Sequence, residues 1–352
     1  MAATTTDFWE TVEDKDASND DVIPFATKKL TRDFFICLTT SIAVDENFLI
    51  SPFGILSNLG ILLMNTNITS ESEQKIRSVM NLNDTNKDKI MIQKEIQKII
   101  NDMKKSAASC EIENRSYIEE TLSGSGSGSG SSVNVNVKKD LETYLSKMVL
   151  CEKCENENTV LVNIVYFHSF WNLAFNKNLI KVEKFWKTWN DHINVPMMYT
   201  RGDFFMKKLE HLDAKVLILP YEKKQFMMYI IRPNRVTGLH KIEQNFNKID
   251  LSWKDFEFKR NIDLSFPKFE LEYNLDFGVY IEKMGLTTCY KLIQQTQSKI
   301  GTTGTTTTAI NSSPVKERFS LNHPFLFFII FKPLNVILFV GRYVTPTPKK
   351  ID

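Results

Sequence analysis

The sequence predicts a single α+β domain. Three observations carry that expectation: helical patterns crowd the first third of the chain, alternating and apolar runs dominate from Thr159 onward, and the chain closes on two apolar runs. The closing runs, His323–Phe331 and Val336–Arg342, are joined by Lys332-Pro333-Leu334-Asn335. Strands without polar alternation are covered on both faces, so the pair reads as a hairpin at the centre of a sheet. At 352 residues the length allows two domains, yet no linker divides the chain into halves with separate cores.

In chain order, residues 1–21 are polar and acidic and read as a disordered lead. Met1–Glu10 has neither the basic start nor the apolar run of a secretory signal. Helical patterns follow at Ala26–Thr40, Gly54–Met64 and Ser70–Met80, the last with Glu71 and Glu73 in its first turn. Lys87–Lys105 is a longer amphipathic pattern with Ile90, Ile92, Ile96, Ile99 and Ile100 on or near one face. The run Ser123–Ser132, alternating Ser and Gly, can only be a flexible tether, and Val137–Met148 reads as a helix after it. The later strands are interrupted at Lys184–Trp189 and by a helical pattern at Gly238–Phe246, and residues 347–352 form a tail.

Composition narrows the function classes. The net charge is +2 with both signs interspersed, which leaves no footprint for nucleic acid. No window approaches the roughly eighteen apolar residues of a membrane span. Cys37, Cys110, Cys151, Cys154 and Cys289 read as unpaired structural thiols, because Cys151-Glu152-Lys153-Cys154 has no second pair or histidines at ligand spacing. Neither a metal nor a cofactor is expected. His168, His192, His211, His240 and His323 occur singly, without a nucleophile elbow, so no enzyme is expected either. The triplets at Asn67, Asn83, Asn114 and Asn311 fit glycosylation acceptors but are near the chance number for this composition.

Between the helices and the closing hairpin lies a loop of unusual composition. Gly301–Ala309 is all β-branched or small, able to join a sheet at little steric cost, and Pro314, Lys316 and Arg318 follow as the kind of exposed sequence that proteases cut. Six segments then resemble the serpins in order and spacing: Asn47–Ile55, Leu161–Trp171, Val195–Tyr199, Val216–Tyr221, Leu264–Leu271 and His323–Phe327. The resemblance covers about residues 27–346. It implies a serpin-like domain over 22–346 with three β-sheets, about eight helices and an exposed reactive-centre loop at 301–319.

It further implies a monomeric inhibitor of serine proteases, with cysteine proteases as the second target class, whose cut loop inserts as an extra strand into the large sheet. Inserting residues should be small or β-branched and uncharged at inward positions. Counting from the hinge Gly301, those are Thr302, Gly304, Thr306 and Thr308, and all four qualify. The scissile bond stays open: forward spacing gives Val315-Lys316, backward spacing gives Ser313-Pro314, and a trypsin-like enzyme would cut after Lys316 or Arg318. The family's helix that sometimes binds heparin corresponds to Lys87–Lys105, where Lys interleaved with Asp and Glu reads as a solvated face rather than a glycosaminoglycan site. Many serpins are extracellular, while the N-terminus read literally keeps the chain in the cell, so localisation stays open.

Departures from the family pattern favour an alternative, a non-inhibitory binding or carrier serpin that has lost sheet opening. The segment before Gly301 is short and lacks the histidine that controls opening. Of that histidine's usual partners only Asn163 is kept; Gly54 and Leu56 replace serines, so the network is expected to be mostly gone. Trp171 is placed at the top of the sheet beneath the hinge, and Lys299 replaces the acidic residue that normally pairs with Lys268.

Overall fold

The structure, a computed structural model, describes residues 22–64, 69–83, 85–106, 109–118, 159–286, 291–300 and 317–346. The lead 1–21, the tether 123–132, the helical pattern Val137–Met148, the positions Gly301, Thr302, Gly304, Thr306, Thr308, Ser313, Val315 and Lys316, the tail 347–352, and Cys151, Cys154 and Cys289 lie outside those residues.

Six α-helices occur among the described residues, against the expected eight or so. Helix α1, Val22–Thr39, buries Ile23, Ala26, Leu30, Phe34 and Leu38 at helical spacing. It begins four residues before the sequence pattern suggested, because Pro24 sits in the first turn, where a missing N–H breaks no helical bond. Helix α2, Pro52–Leu63, is buried along its whole length. Helix α3, Ser70–Val79, starts at an N-cap Thr69 whose hydroxyl accepts from Ser72 N at 3.1 Å. Helix α4, Lys89–Ser106, buries Ile92, Ile96, Ile99, Ile100 and Met103, but Ile90 faces solvent rather than the apolar stripe. Lys87 before it is committed to Glu95 at 2.7 Å. Two short helices follow, α5 Leu239–Gln244 and α6 Gly278–Lys283.

The strands begin with β1 Phe48–Ile50, β2 Ser109–Ile118, β3 Thr159–His168, β4 Lys181–Trp186, β5 His192–Leu209 and β6 Ala214–Pro220. After them come β7 Phe226–Pro233, β8 Glu257–Pro267, β9 Phe269–Asp276, β10 Lys291–Ile300, β11 Glu317–Ser320, β12 Phe325–Phe331 and β13 Val336–Tyr343. They form two hydrogen-bonded networks among the described residues, not three. One sheet has the order β2-β3-β10-β9; the other runs β1-β13-β12-β7-β6-β5-β8-β11, with β4 also on β5.

The reason is the length of β5. Residues His192–Met197 pair with β4, the last five residues pair with β6, and Met197–Met206 between them lies against β8, so one strand fuses what the resemblance implies as separate sheets. The register shifts between Gly202 and Phe204, and a Cβ at Gly202 would stand 2.3 Å from Leu173 Cδ2, so a side chain at this bend would have to displace the end of Leu173. Lys184–Trp186, read as an interruption, belongs to β4, whose exposed outer face hid the strand pattern.

The expected hairpin is central. β12 and β13 are buried at every position and sit between β1 and β7. Phe269 of β9 stacks on Tyr343 of β13 at 4.1 Å and tilts against Phe327 at 6.1 Å, packing one sheet on the other.

Two polar groups are buried beside this hairpin. Arg342 donates from Nε to Glu46 O at 2.8 Å, from Nη2 to Ala43 O, and from Nη1 to Glu243 at 3.1 Å. Burial raises the Glu243 carboxyl, opposed by the Arg342 charge. Arg342→Ala strands that carboxylate and two carbonyls, and urea unfolding should show a loss of about 3–5 kcal/mol, with Glu243→Gln costing less.

His323 is buried, with Nε2 against Pro233 O at 2.8 Å, and burial lowers its pKa from 6.5 to about 4. The folded state therefore disfavours the imidazolium. Stability is fully present above pH 6.5 and is lost as pH falls toward 4, by at most about 3 kcal/mol. His323→Gln should flatten the unfolding free energy over that interval; an unchanged slope would assign it to another group.

Candidate functional site at the β3–β10 seam

β3 and β10 lie side by side and run parallel, in register from Lys291 opposite Val160 to Ser298 opposite Phe167. Outside them, β2 pairs antiparallel with β3 and β9 antiparallel with β10. Period-2 alternation turns Leu292, Gln294 and Thr296 of β10 inward, all three buried, toward β1 and the start of α2. On β3 the same alternation buries Leu161, Asn163, Val165 and Phe167.

Gln294 is the centre of the polar contacts. Its Oε1 accepts from Ser51 N at 2.8 Å, and its Nε2 donates to Ser51 O at 2.9 Å and to Asn163 Oδ1 at 2.8 Å. Ser51 meanwhile caps α2, its hydroxyl accepting from Gly54 N at 3.1 Å. One turn of β10 further, the Thr296 hydroxyl lies within hydrogen-bonding distance of Leu49 O, at 2.5 Å, and of Tyr273 O, at 3.1 Å. All these side chains are neutral, so the cluster carries no charge to be buried.

This corrects two expectations. β10 is a full ten-residue strand with a neighbour on each side, not a remnant. The network around Asn163 is rebuilt rather than mostly gone: an amide, like a neutral imidazole, can both donate and accept, and Gln294 occupies the contact to Asn163 expected of a histidine. Gly54 belongs to the same rebuilding, since a Cβ there would stand 2.2 Å from Asn163 Oδ1 and 3.0 Å from Gln294 Nε2. Leu56 is buried in α2. The sequence signal was the alternation Leu292-x-Gln294-x-Thr296, which sets an amide and a hydroxyl on the buried face.

Trp171 follows β3 and bridges to Tyr221, with the two rings stacked at 4.3 Å and 17°. Phe175 and Phe266 meet it edge-on at 6.3 and 5.9 Å. Its Nε1 and the Tyr221 hydroxyl are both buried without a hydrogen-bond partner among the described residues, and burial pushes the Tyr221 hydroxyl well above its usual range. Lys268 is the single exposed residue between β8 and β9, its N–H bonded to Pro196 O at 2.9 Å, so it marks where the two sheets join. Phe266 and Phe269 on either side of Lys268 link it to the Trp171 cluster. The backbone register sets Lys299 opposite Glu270, two residues beyond Lys268. Arg318 is exposed but lies within β11, opposite Asp263 of β8, while neighbouring Phe319 is fully buried and Glu317 pairs with Lys215 at 2.5 Å.

Among known proteins, the family model described as Serpin (serine protease inhibitor) matches residues 123–346. The chain belongs to the serpin family. Human Serpin B3 is 30% identical over 220 residues, covering 54% of this chain and 56% of that protein, and the horse leukocyte elastase inhibitor is 26% identical over 53% of this chain and 58% of its own length. The chain thus spans little more than half the length of these relatives. The fold is similar to that of uncleaved ovalbumin, with a TM-score of 0.73 at 20% identity over 93% of this chain and 100% of that one. A tumour suppressing serpin gives 0.72 at 21% identity, also over 93% and 100%.

Thr296→Val removes the side-chain donor to Leu49 O at nearly constant shape. Urea unfolding should register a loss of about 1–2 kcal/mol; a loss below a few tenths would mean that this carbonyl finds another partner.

Proposed function

We propose that this chain inhibits serine proteases by loop cleavage and insertion, residues 22–346 acting as one unit. The observation that carries the reading is the parallel β3–β10 seam, with β10 running directly into the sixteen-residue segment 301–316. A segment that leaves β10 and folds back between β10 and β3 runs antiparallel to both. One parallel ladder would be exchanged for two antiparallel ones, roughly doubling the backbone bonds along the seam and improving each. Only a cut loop has the freedom to do this over its full length, so cleavage is what releases the gain. The Thr-rich run from Gly301, with Thr302, Gly304, Thr306 and Thr308 inward, suits a buried central strand.

For the cut, the pairing of β11 argues against Arg318. A protease needs several residues of extended, unpaired backbone on both sides of the bond, and the residues after Arg318 are in a ladder with a buried Phe319. Val315-Lys316 is the preferred bond, with Ser313-Pro314 and cleavage after Lys316 behind it. The second reading, a binding or carrier serpin that keeps the fold without insertion, rests on Lys299 standing where the family has an acid.

Incubation with trypsin, elastase and chymotrypsin separates the two. An adduct that survives denaturing electrophoresis, with a large rise in melting temperature of the cleaved protein, is the expected result. Clean cleavage between Ser313 and Lys316 with neither adduct nor stabilisation would establish the carrier reading.

A further inference from the structure

We infer that Arg318 is a specificity-determining residue, a fixed cation that favours proteases carrying carboxylates on the leaving-group side of their cleft, and that Arg201 keeps it free for that role. This rests on the inhibitory reading above. The pairing that removes Arg318 from the candidate bonds also holds it in place. Phe319 beside it is fully buried with the Arg232 guanidinium 5.4 Å over its ring, Glu317 is tied to Lys215 at 2.5 Å, and the Ser320 hydroxyl meets that of Ser265 at 2.7 Å. Leu321 N adds a bond to Ser265 O at 2.9 Å. The backbone that bears Arg318 is thus anchored on both sides, while its own side chain is exposed. It stands three residues after Val315, at most about 10 Å of extended chain. A protease seated on the preferred bond therefore lies within reach of its guanidinium.

What leaves this cation unpaired is the row it belongs to. The ladders set Arg201 of β5 opposite Asp263 of β8, and Asp263 opposite Arg318 of β11, so three charged side chains share one face of the sheet. One carboxylate lies between two guanidinium groups, and one of them holds it: Arg201 donates from Nε to Asp263 Oδ1 at 2.5 Å and from Nη2 to Oδ2 at 3.2 Å. That two-pronged geometry takes both oxygens. No acid among the described residues forms an ion pair with Arg318. An exposed charge at the rim of an interface acts on the association rate and its salt dependence, so this one discriminates between proteases that fit the loop equally well.

The test uses elastase, whose small specificity pocket suits Val315, beside two elastase variants with Glu or Lys placed on the surface facing the third residue after the cut bond. The readout is the second-order rate of reaction at the loop, as adduct formation or, where no adduct forms, as kcat/KM for cleavage. The unaltered protein should react fastest with the Glu variant and slowest with the Lys variant, over about a tenfold range at low salt, and Arg318→Glu should reverse that order. Arg318→Lys should keep it, and about 1 M NaCl should erase it. Arg201→Gln should shrink the range about threefold, because Asp263 then takes Arg318, and adding Asp263→Asn should restore it. Lys98→Glu, an equal charge change at an exposed position of α4, should leave the order as it was. An order unmoved by Arg318→Glu, or moved as much by Lys98→Glu, would overturn the inference alone, and an unchanged range in Arg201→Gln would overturn the part given to Arg201. Cleavage with the expected reversal but no adduct would leave Arg318 its role and remove only the inhibitory reading. No reaction at the loop with any of the three enzymes would overturn both.

Discussion

Leu49–Ser51 is the backbone stretch through which hydrogen bonds tie one sheet to the other. On one side, β1 contributes Leu49 and Ile50 to the ladder with β13, and through it to the buried hairpin. On the other, Leu49 O and both backbone groups of Ser51 are taken by Thr296 and Gln294 of β10. Ser51 also starts α2, with Pro52 at the first helical position and the serine hydroxyl as cap. A β-ladder, a helix N-terminus and the inner face of a second sheet thus meet on one short backbone stretch. Displacing it would orphan buried carbonyls and amides in three elements at once, and such groups cost far more unpaired than they contribute when paired.

That joint explains how the fold can be rigid and still able to open. The hairpin β12–β13 and its neighbours form an apolar block in which each side chain is enclosed by others, so it has no alternative packing. The seam is different. It is the one place among the described residues where β10 meets a parallel partner, and across it Gln294 Nε2 donates to Asn163 Oδ1 of β3. Beyond one end of the seam, the Trp171–Tyr221 stack leaves an indole N–H and a hydroxyl unpaired among the described residues, in an apolar setting. Buried donors without acceptors are a standing penalty, and they sit next to the part of the sheet that the proposed insertion would rebuild.

Much of this was legible in the chain. The central hairpin could be read because strands covered on both faces lose their polar alternation, and the amphipathic helices because their apolar residues recur at helical spacing. Family segments such as Asn47–Ile55 and Leu161–Trp171 placed the joint and the seam without coordinates. What misled was counting residues by type. The missing histidine and the serine replaced by Gly54 read as two losses, whereas the structure makes them one exchange: the longer, flexible amide of Gln294 needs the room that glycine leaves.

The sequence by itself determined the fold class, the membership of the family and the order of elements, because these follow from local periodicity and from motifs that act within a few residues of each other. Only the tertiary structure decided that β5 is long enough to fuse two expected sheets, that Arg318 is held in a ladder, and that Gln294 reaches both Ser51 and Asn163. The first depends on how far one strand continues past its local partners, and the other two on groups distant in sequence, Gln294 reaching residues 131 and 243 positions away; no local pattern records which distant backbone group a buried amide will find.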